Sequence, residues 1–407
     1  MADLTSVSAM LKEVWPQRME TAFSNEIVAL SRIESTSEGV RNDISGRYTV
    51  VPLHVSRNQG IGSRAERGVL PLPGEQGYNS ARVSMKHQYA IGDISSQALL
   101  LADSEPRSFI DTIDRELSGM QNDAMKDYAR QVYGDGSGRL ATIDAGGVTG
   151  NVLTVDNVQY LAIGMLIDSV TESGPTVTDT AMTITAIDED AKEVTVDDAT
   201  TPVAGDILVR TGNYNQEILG LDALLDSDHA SVSFQNLTSA SEATWKPLIS
   251  SPSAHAYSEV EIMSLLDRVR RNAGKQISVM FTHFGVRRAI FSGLLADRQF
   301  QNTIDFGQGF SALPFNYGAR VIPQVEDPDF PGDFDATTAS IYGLCEDEIS
   351  VYQEDSGWHF AEETGAIFFP STDRSDTWEY RLRKFSNMGY SQRNCHFKLD
   401  NVNTASS

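Results

Sequence analysis

Cysteine is almost absent: Cys345 and Cys395 are the only two in 407 residues. With no second pair nearby they exclude a cysteine-rich zinc site and fit a reducing compartment, where both are expected as plain buried thiols. Basic charge is scarce too, with 32 Lys and Arg against 56 Asp and Glu and a net charge of -24. Nucleic acid and anionic membrane both demand clustered cations, so neither is expected as a direct partner. No apolar run approaches the ~18 residues of a membrane-crossing helix. The start, MADLTSVSAM, lacks the basic and apolar stretches of a secretory signal, which predicts a soluble chain not exported by the usual route.

The motifs of common chemistry are missing as well. There is no phosphate-binding G-x-x-x-x-G-K-[ST], no G-x-S-x-G and no H-E-x-x-H. GDGSGR at 134–139 puts Arg139 where a dinucleotide loop needs its third glycine, and it follows a helical pattern instead of a strand. The seven histidines, His54, His87, His229, His255, His283, His359 and His396, show no pair at a ligand spacing. Asp327, Asp329, Asp333 and Asp335 in DPDFPGDFD resemble a calcium loop only faintly, because Pro331 replaces the third ligand and Thr338 the bidentate Glu. An acidic turn between strands is the better reading. No catalytic residue, metal or cofactor is expected, and the chain reads as no enzyme.

What is present is an ordered succession of elements. At 40% hydrophobic residues the chain can bury a core, and its length predicts two or three compact units. Leu4, Met10, Leu11, Val14, Phe23, Ile27, Val28 and Leu30 fall at roughly helical spacing broken by Trp15-Pro16. That predicts a bent helical arm with too little apolar area for its own core. YTVVPLHV (48–55) and ARVSMKHQYAI (81–91) flank the Gly- and Pro-rich IGSRAERGVLPLPGEQG, predicting a large hairpin with a long tip. From Arg47 to His87 the basic residues Arg47, Arg57, Arg64, Arg67, Arg82 and Lys86 outnumber Glu66 and Glu75. A solvated loop is one reading; a contact role is favoured, because a loop this long without a core is usually functional or disordered.

Ser104-Glu105-Pro106 opens and Gly134 closes a helix whose apolar stripe is Ile110, Ile113, Leu117, Met120, Ala124, Tyr128 and Val132. Residues 151–210 then hold eleven acids against Lys192 and Arg210, with short alternating runs between Gly, Asp and Pro turns. They predict a small antiparallel β-barrel with a solvated acidic exterior, set into a host. Further on, Ser258 and Glu261 make a capping box, Gly274 stops that helix, and Thr282 stands where it can cap the next. Strands follow through TASIYGL, EISVYQ, AIFFP and TWEYRLRKFSNMGYSQ. The fold class is α+β with one all-β insertion.

This order resembles the major capsid protein of tailed bacteriophages, the Hong Kong 97-like fold. LKEVWPQRMETAFSNEIVALSRIE is similar to that family's arm, SFIDTIDRELSGMQNDAMKDYARQVYGDGSG to its spine helix, and GARVIPQVEDPDFPGDFDATTASIYGLCEDEISVY to its closing region. The resemblance covers nearly the whole chain except 151–210. It implies an N-terminal arm (1–46), an extended loop (47–92), a peripheral domain with the spine helix (93–150 and 345–407), an inserted acidic β domain (151–212) and an axial domain (213–344). It implies self-assembly through pentamers and hexamers into an icosahedral shell around a double-stranded DNA genome that is enclosed without specific binding. The implied place is the virion, with assembly in the host cytoplasm. Scaffolding, portal or decoration proteins are the implied partners, and no membrane is. A scaffolding segment ahead of the arm, carried by many members, is expected to be missing, separately encoded or removed. Lys86 lies near where some members place a cross-linking lysine. Arg57, Arg64 and Arg67 are the expected inter-subunit contacts. An encapsulin-like nanocompartment shell stays open as an alternative, as does an adhesin or glycan-binding protein built on the acidic module.

Overall fold

The computed structural model describes residues 27–36, 39–41, 48–97, 106–171, 176–198, 202–226, 234–238, 243–297, 304–307, 310–318, 320–334, 336–354, 357–361, 367–371 and 376–404, with backbone alone for 106–115, 293–297, 304–307 and 310–312. The expected arm lies outside these residues up to 26, as does Arg47. Its described end is a short helix, α1 (Ala29–Ser35), whose Ala29, Leu30 and Ile33 are buried in the main core of this same chain. Short strand β1 (Val40–Arg41) follows.

Strands β2 (Tyr48–Ser56) and β3 (Gly77–Ser84) pair as a two-stranded hairpin, from Tyr48 opposite Ser84 to Ser56 opposite Gly77. The extended loop expected over 47–92 is shorter than that. At Met85 the chain changes sheets, and β4 (Lys86–Ser95) leaves the hairpin to pair along its whole length with a C-terminal strand. The alternation in 81–91 continues across this switch, so pattern alone shows one strand where there are two.

The long helix α2 (Pro106–Val132) runs 27 residues, about 40 Å at 1.5 Å per residue. Ala124, Tyr128 and Val132 of its stripe are buried. Pro106 suits the first helical turn, where its missing N–H has no partner to lose. At the far end the Gly134 N–H bonds the Gln131 carbonyl at 3.0 Å.

Strands β5 (Arg139–Thr149), β6 (Val152–Val155), β7 (Leu166–Thr171), β8 (Val177–Asp188), β9 (Glu193–Val196) and β10 (Asp206–Arg210) close into a barrel in the order β10-β5-β6-β9-β8-β7. Leu153, Ile167, Met182, Ile184, Val194 and Leu208 fill it with a core separate from the host's. The barrel starts at Arg139, not at 151. Composition misses β5 because that strand carries Asp144 as its only acid, although its Leu140, Ala141 and Ile143 are buried. Nor are all the module's carboxylates solvated. Asp168 is buried and accepts from Ala181 N at 2.8 Å, Thr211 Oγ1 at 2.8 Å and Gly212 N at 3.1 Å. Asp206, also buried, accepts from Thr178 Oγ1 at 2.9 Å and Val203 N at 3.1 Å. Buried acids are tolerable here because local donors replace water.

The remainder comprises α3 (Leu221–Leu224), β11 (Leu248–Ser250), α4 (Glu259–Ala273), β12 (Val279–Thr282), α5 (Phe284–Asp297), β13 (Ile304–Gly307), β14 (Phe310–Tyr317), β15 (Arg320–Glu326), β16 (Thr338–Leu344), β17 (Ile349–Gln353), β18 (His359–Phe360), β19 (Phe368–Pro370), β20 (Thr377–Tyr390) and β21 (Phe397–Asn403). The Ser258 hydroxyl accepts from Glu261 N at the start of α4, and Gly274 ends it at φ 70°. At α5 the expected cap does not form: Thr282 Oγ1 donates to the Val325 carbonyl, and His283 Nδ1 accepts from Gly285 N at 3.1 Å. One sheet runs β1-β17-β20-β18, with β19 and β4 also on β20; a second runs β11-β21-β16-β12-β15-β14-β13. The last strand therefore sits between β11 and β16, in the sheet built from 248–344, although 345–407 was expected to belong together. Phe397, Leu399 and Val402 are buried there; burial, not chain position, chose the sheet.

Candidate assembly surface

The three arginines singled out from the sequence lie together in the 57–76 tip of the hairpin, all exposed. Arg64 turns back on its own loop, its Nε donating to the Val69 carbonyl at 2.9 Å and Nη1 to the Ser63 carbonyl at 3.0 Å. Arg67 takes φ 61° in the turn closed by Gly68 N to the Ala65 carbonyl at 2.8 Å. Among the described residues, none of Arg57, Arg64 and Arg67 is paired with a carboxylate. Sequence reasoning had weighed the charge and missed the apolar half of the tip. Ile61, Val69, Leu70 and Leu72 are 79–87% exposed, more than a chain alone in water would favour at four nearby positions. The VLPLP phrase was the available signal. Lys86 is not in the tip: it starts β4, bonds the Asn215 carbonyl at 2.5 Å, and burial lowers its pKa.

The DPDFPGD turn joins three parts of the chain. Asp327, buried, accepts from Ala29 N of α1 at 2.9 Å and from the Tyr133 hydroxyl at 2.9 Å. Asp329 accepts from Lys126 Nζ of α2 at 2.9 Å, and its carbonyl accepts from the barrel's Tyr160 hydroxyl at 3.0 Å. Asp333 pairs with the barrel's Lys192 at 2.6 Å. Burial pushes the Asp329 carboxyl up to about 6 and raises Asp327 as well. Among the described residues no group of three His, Cys, Asp or Glu side chains is gathered as a metal ion would need. The turn is a mechanical junction.

Two further buried charges fix the frame. Arg130 of α2 bonds Glu217 at 2.5 Å and Asp127 at 3.3 Å, tying the long helix to the chain leaving the barrel. Arg393 reaches the carbonyls of Leu224, Ala223 and Asp226 at 2.7, 3.0 and 2.5 Å, and burial brings its pKa down to about 10. His396 is buried with its Nδ1 accepting from Cys345 N, and desolvation beside Arg393 pushes it down to about 3. Cys345 and Cys395 are both buried and unbridged. No helix among the described residues is long and apolar enough to cross a membrane.

No protein-family model matches the chain, and no curated protein matches it. Solved structures do. The capsid subunit of cyanophage A-1(L) superposes with a TM-score of 0.60 over 97% of this chain and 98% of that one, at 14% identity. The SrpI encapsulin of Synechococcus elongatus PCC 7942 superposes with a TM-score of 0.51 over 99% and 96%, at 10% identity. At such identities the likeness is one of fold, and the fold is that of the tailed-phage capsid subunit.

Proposed function

We propose that this chain is a major capsid protein, assembling through hexamers and pentamers into an icosahedral shell that encloses double-stranded DNA. The observation that carries the reading is the cyanophage capsid likeness over 97% of the chain, with an exposed hairpin tip that is both basic and apolar. Such a tip is stabilised by burial against another copy, and repeated weak contacts close a shell that no single contact would hold. On this reading the sheet from β11 to β13 forms the axial domain and the sheet around β20 with α2 the peripheral one. The arginines Arg57, Arg64 and Arg67 meet acidic surface on a neighbour. The net charge of -24 suits a container, since a wall that bound DNA tightly would impede packing and release. The protein would act in the virion after assembly in the host cytoplasm, with scaffolding, portal or decoration proteins as partners and no catalysis of its own.

A nanocompartment shell is the second reading, favoured by the encapsulin likeness at TM-score 0.51. Electron microscopy of the expressed protein, followed by extraction of nuclease-resistant contents, tests both. Shells or capsomer rings are expected; a monodisperse monomer across concentration and salt, with scaffold supplied, overturns the proposal. Shells from phage-infected cells that hold DNA support the capsid reading, and shells that hold only protein cargo support the second. Glycan binding by the barrel would favour an adhesin.

A further inference from the structure

The chain crosses between its two sheets twice near the C-terminus, and the two crossings lie side by side. The first runs from β16 to β17 through the short turn Glu346–Glu348, the second from β20 to β21 through the turn Arg393–Cys395. Ladders bound the pair of crossings at both ends, with Gly343 opposite Phe397 in one sheet and Ile349 opposite Tyr390 in the other. Between those ends the crossings touch through Ser391 N, which donates to the Glu348 carbonyl at 3.2 Å, and through Cys345 N, which donates to His396 Nδ1 at 3.2 Å. Any motion of one sheet against the other must pass through these two short segments.

Both cysteines of the chain stand in them. The β16–β21 register sets 343 opposite 397, and two further steps along each segment bring Cys345 opposite Cys395. Opposed residues of an antiparallel pair have Cα atoms ~4.5–5.5 Å apart, inside the ~4.4–6.8 Å that a disulfide spans. Their amides bond elsewhere, Cys345 N to His396 and Cys395 N to the Gln392 carbonyl at 3.4 Å. Their side chains meet, the two buried thiols lying within hydrogen-bond reach of each other. The hydrogen bond from Cys395 holds the Cys345 thiol below its ordinary range, while burial pushes the Cys395 thiol up. The pair is therefore asymmetric, with Cys345 the readier thiolate and Cys395 the resolving partner.

We propose that Cys345 and Cys395 form a latch that peroxide closes, an intrachain disulfide that ties the two crossings together and fixes the two sheets against each other. The latch goes beyond the shell reading and does not depend on it. The Cys345 thiolate attacks one oxygen of hydrogen peroxide; the O–O bond breaks, hydroxide leaves, and a sulfenic acid remains. Cys395 gives its proton to that hydroxide and attacks the same sulfur; the S–O bond breaks, and the departing hydroxide takes the proton that Cys345 first released. Two thiols and one peroxide become one disulfide and two waters, and an excess of small thiol reverses the change. Peroxide is small enough to reach buried thiols when the crossings open locally. The bond closes a loop from 345 to 395, so it restricts the unfolded chain as well as the crossings.

The test treats the purified full chain with hydrogen peroxide, unfolds it in an alkylating agent and digests it for mass spectrometry. A peptide linking Cys345 to Cys395, lighter than the two thiols by two hydrogens and restored by dithiothreitol, is the expected product. The oxidised chain should melt about 5 °C higher than the reduced one. Thiols that remain open to alkylation, a disulfide that joins two chains, or a Cys345 that runs on to sulfinic acid each overturn the proposal. A bond that forms without raising the melting temperature overturns the latch. Cys395→Ala should leave a sulfenic acid on Cys345 that dimedone captures, whereas Cys345→Ala should leave Cys395 oxidising roughly tenfold more slowly; equal rates overturn Cys345 as the attacking thiol. The parent chain alone decides whether the bond forms, so a variant that fails to fold leaves the test intact. None of these readings requires assembly, and their failure leaves the shell reading standing.

Discussion

Asp329→Asn tests whether burial or ion pairing governs the junction turn. The carboxyl sits near 6, against ~3.9 for an unburied aspartate. Desolvation is the first cause of that rise, and it outweighs the favourable bond to Lys126 at 2.9 Å. A native pKa above the unfolded one means that the folded chain holds the proton more tightly between the two values. Stability from this group is therefore fully present below about pH 4 and is lost as pH rises through about 6. At neutral pH the ionised form costs up to ~3 kcal/mol, from ~1.4 kcal/mol per tenfold in proton affinity. Asparagine keeps the shape without the charge. Lys126 keeps 27% of its side chain exposed, so water can take the place of the lost partner.

The variant should thus unfold later than the parent at pH 7 to 8, and the gap should close as pH falls to about 4. His396 works in the opposite direction. Its folded pKa, near 3, is depressed from the usual 6.5, so its contribution is lost as pH falls below 6.5. Both chains carry His396, and subtracting their melting curves at each pH removes it. Urea unfolding of the unassembled subunit from pH 4 to 8 supplies the measurement. An Asn variant less stable than the parent at pH 7, or a gap independent of pH, would show that the Lys126 pair outweighs desolvation.

Changing Arg57, Arg64 and Arg67 together to Glu should reduce assembly more at low salt than at high, since exposed pairs are screened and worth about 0–1 kcal/mol each; light scattering against salt would show it, and unchanged assembly would reject the contact. Gly343→Ala would drive a Cβ into the Phe397 ring, and thermal melting should fall by an amount equivalent to about 1–3 kcal/mol or more. Replacing 139–210 by a short Gly-Ser linker should leave a host that still builds shells, read by electron microscopy, because Val209 lies opposite Arg139 where the chain enters and leaves and loop closure depends only weakly on length.

Local signals were legible in the residues, and partner choice was not. The α2 stripe and the caps of α4 depend on neighbours three or four positions away, which the sequence displays directly. The switch at Met85 and the seat of β21 depend on which apolar face finds which, and alternation looks the same on either side of both. Charge counting placed the tip arginines in one exposed loop and found the barrel's acid-rich strands. It failed for Asp168 and Asp206, where a carboxylate serves as an internal acceptor. It also passed over Leu70 and Leu72, since the VLPLP phrase shows apolar content in the tip but not that these side chains stay exposed.

The barrel has its own core, and two adjacent strand ends alone would let it rock as one body. Its tethers oppose that freedom, and three of them among the described residues run to the same turn: Tyr160 to the Asp329 carbonyl, Lys192 to Asp333, and Gln159 to the Pro328 carbonyl. That turn also holds the N-terminus of α1 through Asp327, the long helix through Lys126, and the turn just after that helix through Tyr133. Each bond is worth about 0.5–1.5 kcal/mol, too little to lock the barrel singly and enough to do so jointly. A force on the barrel from a neighbouring copy would therefore act on α1 and α2 through buried carboxylates rather than on a flexible linker. The position of an accessory module and the seat of the arm would change together, which separate hinges would not require.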